Sequence, residues 1–215
     1  MKQIFLLCLL QAFSALALAD QVALTGWTGG IVTTFGDDTQ CGWFFNIGGS
    51  GVNVTTLGVG DYQSNGLSIS HDVGIFRVSD QALLAAATVP AGTGATLLSG
   101  FRYATLSSAV NLAPGSYVIV MTMPSRNTDL QYFGATTGSV MTASPVTYVT
   151  SLISGGSGLG YPPAGACISC AKEGIFGPNF QFVALTTGVP EPSAAALWTV
   201  SGVASALLLR HRRRA

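Results

Sequence analysis

Short apolar runs separated by turn residues make up the middle of the chain. Ten runs of four to nine residues are rich in Val, Ile, Thr, Phe and Tyr, and Gly, Asn, Asp or Pro bounds them. No apolar period of 3.6 residues persists for three turns, so the pattern predicts strands and not helices. The predicted strands cover residues 31–35, 42–47, 52–60, 71–78, 82–89, 100–106, 116–123, 130–133, 146–153 and 180–186.

One of these runs is apolar without interruption. Residues 117–121 read Tyr-Val-Ile-Val-Met, which is typical of a central strand buried on both faces. Pro114 and Gly115 before it predict a turn, because Pro presets φ and Gly accepts a positive φ. Residues 81–87 also fit a helical turn, but their neighbours favour a strand. We therefore expect an all-β fold, an antiparallel β-sandwich of jelly-roll type.

The two ends of the chain differ from this middle part. Residues 1–19 combine a positive start, a short apolar run and the small residues Ala17 and Ala19, which is the pattern of a signal peptide cut by signal peptidase after Ala19. At the other end, an uncharged run over residues 194–209 precedes a basic end over residues 210–215. The pattern predicts an N-terminal signal helix, one domain over residues 20–188 and a C-terminal single transmembrane helix.

The uncharged run is just long enough to span a membrane. As a helix it measures about 24 Å, a little less than the hydrocarbon core. By the positive-inside rule, the basic residues after it place the C-terminus in the cytoplasm and the domain outside. These basic residues are Arg210, Arg212, Arg213 and Arg214.

A proline-rich tetrad, Val189-Pro190-Glu191-Pro192, stands just before the span. Its prolines cannot continue a helix, so we expect the tetrad to be extended and open to an enzyme at the membrane face. Tetrad, span and basic end together resemble the PEP-CTERM sorting signal of Gram-negative bacteria, over residues 189–215 only. The resemblance implies that an exosortase, a membrane-embedded cysteine transpeptidase, removes the span and passes the protein on towards the cell surface or extracellular matrix. A plain C-terminal anchor is the alternative.

A second resemblance covers residues 33–182. Segments 57–61, 65–67, 70–76, 84–92, 100–103 and 112–119 resemble a β-sandwich domain of unassigned function that often precedes such tails. This resemblance implies a fold and an exported setting, but no activity.

Charge is scarce and weakly negative in the predicted domain. Only 8% of all residues are charged, far below the usual share of roughly 25%. Residues 20–188 hold four basic and eight acidic residues, a net charge of −4. Nucleic-acid binding needs clustered Lys and Arg, so we exclude nucleic acid as a partner.

His71-Asp72 is the pair closest to acid–base chemistry. Successive strand residues point to opposite faces, so Asp72 is badly placed to orient the ring of His71, and we expect a structural role for the histidine. The other histidine, His211, lies in the basic end, and there is no G-x-S-x-G motif. A secreted hydrolase acting on polysaccharide would have to use Asp37, Asp38, Asp61 or His71, with aspartates supplying the carboxyl pair in the case of a glycosidase.

Those three aspartates have loop-like neighbours and are also candidate ligands for Ca²⁺, but no D-x-D spacing repeats among them. We therefore expect solvated loop aspartates and no metal. Cys41, Cys167 and Cys170 remain after signal removal, and the exported setting favours one disulfide, within Cys167–Cys170 or from Cys41 to one of that pair. A zinc site of these cysteines with His71 is the other reading. We expect no cofactor.

Trp27, Trp43, Tyr62 and Tyr132 would suit a sugar-stacking platform, but in a sandwich such rings are mostly core. The whole pattern favours an exported, exosortase-processed envelope or matrix protein without catalytic activity that contacts exopolysaccharide. The rival is the secreted hydrolase.

Overall fold

The fold is built from β-strands. The computed structural model describes residues 19–34, 38–136, 138–156, 158–164, 166–168 and 174–185, and this part contains no helix. Its sixteen strands are β1 (Gln21–Val22), β2 (Leu24–Gly26), β3 (Ile31–Thr33), β4 (Thr39–Ile47), β5 (Val52–Gly60), β6 (His71–Arg77), β7 (Leu83–Val89), β8 (Thr96–Leu98), β9 (Phe101–Leu112), β10 (Gly115–Met123), β11 (Gln131–Phe133), β12 (Met141–Thr142), β13 (Val146–Gly155), β14 (Cys167–Ile168), β15 (Ile175–Phe176) and β16 (Pro178–Ala184).

Two antiparallel sheets carry the architecture. The five-stranded sheet has the order β1-β16-β5-β9-β8, and the six-stranded sheet has the order β14-β13-β4-β10-β6-β7. Two small sheets, β15-β11-β3 and β12-β2, complete it. Among the long strands only β6 and β7 are neighbours both in sequence and in a sheet, so most pairings join distant parts of the chain.

The strand prediction is confirmed for all ten runs. Each overlaps an observed strand, and the run at residues 82–89, the helix-or-strand alternative, is β7. Strand β9 continues six residues beyond the predicted end at residue 106, through a mostly exposed stretch that ends at the buried Leu112. Strands of two or three residues, β1, β2, β8, β12, β14 and β15, were not predicted because such short pairings leave no recognisable pattern.

The two large sheets pack face to face around one apolar core. Trp43 and Phe45 of β4 meet Phe180 of β16 with ring centroids 5.9 and 5.0 Å apart. The indole N–H of Trp43 donates to the carbonyl oxygen of Pro178 at 2.9 Å, so its polar atom is satisfied inside the core. Burying such rings stabilises the fold by roughly 1.5–3 kcal/mol each.

Strand β10 is buried on both faces, as its unbroken apolar run predicts. Tyr117, Ile119 and Met121 point into the main core, and Val118 and Val120 point to the opposite side of the sheet. A second small cluster covers that side, formed with Phe76, Leu152, Phe44, Leu159 and Tyr161. The six-stranded sheet therefore has an apolar layer on each face.

Candidate functional site

His71 lies completely buried at the start of β6 and is held at both ring nitrogens. Nδ1 is 2.7 Å from the carbonyl oxygen of Thr122, and Nε2 is 2.8 Å from Oδ2 of Asp129. Asp72, the next residue, is exposed and accepts a hydrogen bond from Thr88 instead. The alternation of the strand thus separates His71 from Asp72, and the carboxylate beside the ring is the distant Asp129.

Further hydrogen bonds hold Asp129, the partner of His71. Asp129 accepts two further bonds, from the amide and the hydroxyl of Ser68 at 2.7 and 2.9 Å. Burial raises the pKa of Asp129, but the bonds from His71 and Ser68 outweigh burial and hold this pKa below its usual value. Asp129 is therefore a carboxylate. Both ring nitrogens of His71 lie within hydrogen-bond distance of oxygen atoms of the protein, so both are engaged inside the fold.

This grouping of serine, histidine and aspartate differs from a hydrolase triad. In a triad one ring nitrogen receives the proton of the serine while the other donates to the carboxylate. Here the hydroxyl of Ser68 donates to Asp129, and the two nitrogens of His71 contact the carbonyl oxygen of Thr122 and the carboxylate of Asp129. The ring is therefore not placed to take the proton of Ser68, so the geometry fits an anchoring role.

A second buried ion pair lies at the end of β5. Nε of Arg102 donates to Oδ2 of Asp61 at 2.7 Å, with both side chains about 5% exposed or less. Asp61 also accepts the amide hydrogens of Asn65 and Gly66. Nη1 of Arg102 donates to the carbonyl oxygens of Thr93 and Ala95, both at 2.9 Å. The pair thus fixes the loop over residues 61–66 and ties it to residues 93–95.

The two ion pairs meet at one cavity. It has a volume of about 360 Å³ and is lined by residues 60–63, 65–68 and 128–130, so Asp61 and Asp129 both border it. The loop before β6 forms one wall, and the segment before β11 forms the other. Asn127 stiffens the second wall, since its side-chain oxygen accepts the amide hydrogen of Asp129 at 2.9 Å.

The three aspartates considered for calcium or hydrolysis have different surroundings. Asp37 lies outside the described residues. Asp38, just before β4, accepts a hydrogen bond from Ser125 at 3.0 Å, whereas Asp61 is paired with Arg102 at the end of β5. Within the residues that the structure describes, no three His, Cys, Asp or Glu side chains come together as a metal site.

Cys41 is a free thiol at the centre of the six-stranded sheet, completely buried. Burial raises its pKa well above the usual value. Cys41 pairs with Ile153, which in turn pairs with Cys167. Two strand spacings, about 10 Å, therefore separate the two cysteine backbones, beyond the reach of a disulfide. A Cys41–Cys167 disulfide is absent from this structure, and Cys170 lies outside the described residues.

The four aromatic residues considered for sugar stacking belong to the interior and its margin. Trp43 is completely buried. Trp27 packs against Tyr132 and Tyr62, with centroids 4.7 and 6.0 Å apart, and the hydroxyl of Tyr62 donates to the carbonyl oxygen of Phe176. They form part of the packing between the small and large sheets and not a flat exposed platform.

Sequence reasoning missed the residues that build the cavity. Asp129, Ser68 and Arg102 were not singled out, because each stands in an ordinary polar loop or strand context. Comparison with protein-family models, with curated proteins and with solved structures finds no match for the chain.

The remaining predicted site residues fall at the two ends. Ala17 of the signal segment, the tetrad Val189 to Pro192 and the arginines from Arg210 to Arg214 lie outside the described residues. Over the described ranges, no helix has the length and apolar character that a membrane crossing requires.

Proposed function

We propose that the chain is an exported envelope or extracellular-matrix protein without catalytic activity, which contacts exopolysaccharide. Signal peptidase removes residues 1–19, exosortase processes the tail at residues 189–192, and the transmembrane helix over residues 194–209 holds the protein in the inner membrane until then. The sandwich between these ends is of jelly-roll type in this proposal.

The observation that carries the non-catalytic part is the state of His71. It is the sole histidine outside the basic end, and both of its ring nitrogens are hydrogen-bonded inside the protein. A hydrolase built on this residue would need a free ring nitrogen. Asp61, the other candidate in the described part, has its oxygens engaged by Arg102 and two backbone amides.

The placement of the domain supports the sorting part. The first strand begins at Gln21, next to the predicted cleavage site, and β16 ends at Ala184, shortly before Val189. The amide of Leu185 still donates to the carbonyl oxygen of Gly51 at 3.0 Å, so the sandwich holds the chain almost up to the tetrad. A short connection of this kind keeps the folded domain next to the membrane face where the cut is expected.

Mass spectrometry of the mature C-terminus tests the sorting. The protein is recovered from its native host with and without the exosortase gene. We expect a terminus near Pro190 to Pro192 that depends on the exosortase. An intact Ala215 in both strains would overturn exosortase processing and leave a permanent membrane anchor.

An activity assay tests the non-catalytic part. The purified protein and its His71→Ala variant are incubated with glycan and ester substrates, and released sugar or acid is measured. We expect no turnover by either protein. Turnover that the variant loses while its circular dichroism spectrum stays unchanged would establish the secreted hydrolase instead.

A further inference from the structure

The cavity between the loop at residues 60–68 and the segment at residues 128–130 has rigid walls. A buried ion pair anchors each wall, Asp61 with Arg102 and Asp129 with His71. Buried ion pairs are costly to form and add little net stability compared with apolar packing. Two of them under opposite walls of one polar cavity match the way that proteins hold binding loops in a fixed geometry.

The carboxylates at the cavity are already hydrogen-bonded. Asp61 faces the guanidinium of Arg102 at 2.7 Å, Asp129 faces the ring of His71 at 2.8 Å, and each also accepts backbone or hydroxyl hydrogens. A metal ion would have to compete with Arg102 or His71 for oxygens that are already in use. An anion would approach two carboxylates. The cavity therefore suits an uncharged ligand.

The side chains at the rim supply hydrogen-bond donors and acceptors. Gln63, Asn65 and Thr128 line the cavity and are exposed. The side-chain amide of Asn65 donates from Nδ2 to Oε1 of Gln63 at 3.2 Å, which holds the two side chains together. Amide and hydroxyl groups of this kind pair with ligand hydroxyls in both directions, as donors and as acceptors.

The size of the cavity limits the ligand. Its volume of about 360 Å³ is at the lower end for small-molecule sites. It accommodates one sugar ring or a short polyol, and a longer glycan would have to leave through the open side.

We infer that this cavity binds one uncharged sugar unit of a polysaccharide. The inference rests on the proposed contact with exopolysaccharide and assigns that contact to a site. Asn65 and Thr128 are the recognising side chains, and the two ion pairs position the loops that carry them.

Titration calorimetry of the full chain tests the site, in a detergent whose headgroup is not a sugar. The probes are glucose, galactose, mannose and N-acetylglucosamine, with galacturonate and calcium chloride as charged comparisons. Asn65→Ala and Thr128→Val remove rim groups without touching the core, and Thr96→Val changes an exposed threonine on β8 as the matched control. Unchanged circular dichroism confirms that each variant folds.

We expect at least one neutral sugar to bind with millimolar affinity and each rim variant to weaken binding about five- to tenfold, as for the loss of one hydrogen bond. Thr96→Val should bind like the parent. Tighter binding of galacturonate or calcium than of every neutral sugar would overturn the inference.

Pull-down with exopolysaccharide from the native host distinguishes failure of the proposed site from failure of the proposed function. If the polysaccharide binds and both rim variants bind it equally well, the site inference fails while the proposed function stands. If neither the polysaccharide nor any neutral sugar binds, the proposed contact with exopolysaccharide and the site both fail.

Discussion

Replacing His71 by alanine tests the anchoring role assigned to the buried ion pair. The substitution removes the ring that lies 2.8 Å from Asp129 and leaves this carboxylate, only 8% exposed, without its paired side chain. Breaking a buried pair in this way costs roughly 3–5 kcal/mol. Ser68 still donates two hydrogen bonds to Asp129, so we expect the lower end, about 3 kcal/mol.

Urea unfolding of the mature protein measures this loss. With a slope of about 2 kcal/mol per molar urea, a loss of about 3 kcal/mol lowers the midpoint by about 1.5 M. Asp72→Ala is the matched control, since it changes the adjacent, exposed residue. It removes a carboxylate that accepts a hydrogen bond from Thr88, and should cost at most about 1 kcal/mol.

A double substitution isolates the pairwise part. Because Asp129→Ala removes the orphaned charge, the double variant with His71→Ala should lose less stability than the two single losses added together. An anchoring role for His71 is refuted if His71→Ala shifts the midpoint no more than Asp72→Ala, or if the losses of the two single variants add in the double variant.

Three further predictions follow from the packing and the charges. The pKa of Asp129 lies below 3.8 in the folded state, so the carboxylate stabilises the fold above that pH and this stabilisation is lost as the pH falls through the folded pKa. The difference in urea midpoint between the parent and Asp129→Asn should therefore shrink below pH 3.8. A difference that widens on acidification would contradict this. A Cβ at Gly42 would overlap the carbonyl oxygen of Ile119 on the neighbouring strand, so Gly42→Ala should lower the free energy of unfolding by about 3 kcal/mol or more, as measured in urea. Gly48→Ala is the control and should be nearly neutral, because its Cβ would have its nearest neighbour at 3.8 Å. Equal losses in the two variants would be evidence against the close approach of the strands at Gly42. The buried thiol of Cys41 should resist iodoacetamide in the native protein and react fully in urea, as read by peptide mass mapping; a native adduct or a disulfide at Cys41 would contradict its placement.

The strands could be predicted from the sequence because each one is recognised from the apolar pattern of its own residues. The period of two predicted that the side chains of His71 and Asp72 lie on opposite faces of the strand before any partner was known. The partner itself could not be predicted, since Asp129 stands 58 residues further along the chain and reaches His71 only when β6 and the segment before β11 pack together. Arg102 has the sequence context of an ordinary strand residue. Its ion pair depends on Asp61, which follows β5 and is distant in sequence. The order of strands in the sheets was likewise beyond sequence patterns, because it is set by contacts between distant segments.

The position of β16 bears on the timing of folding. This last long strand lies between β1 and β5 inside the five-stranded sheet, so the sheet stays open until nearly the whole chain has been made. A chain that emerges N-terminus first must keep the edge of β5 unpaired throughout that interval, and pairings between distant segments form slowly. Completion of the sandwich is therefore a late event, which makes β16 the strand whose weakening would most prolong an aggregation-prone, half-built state.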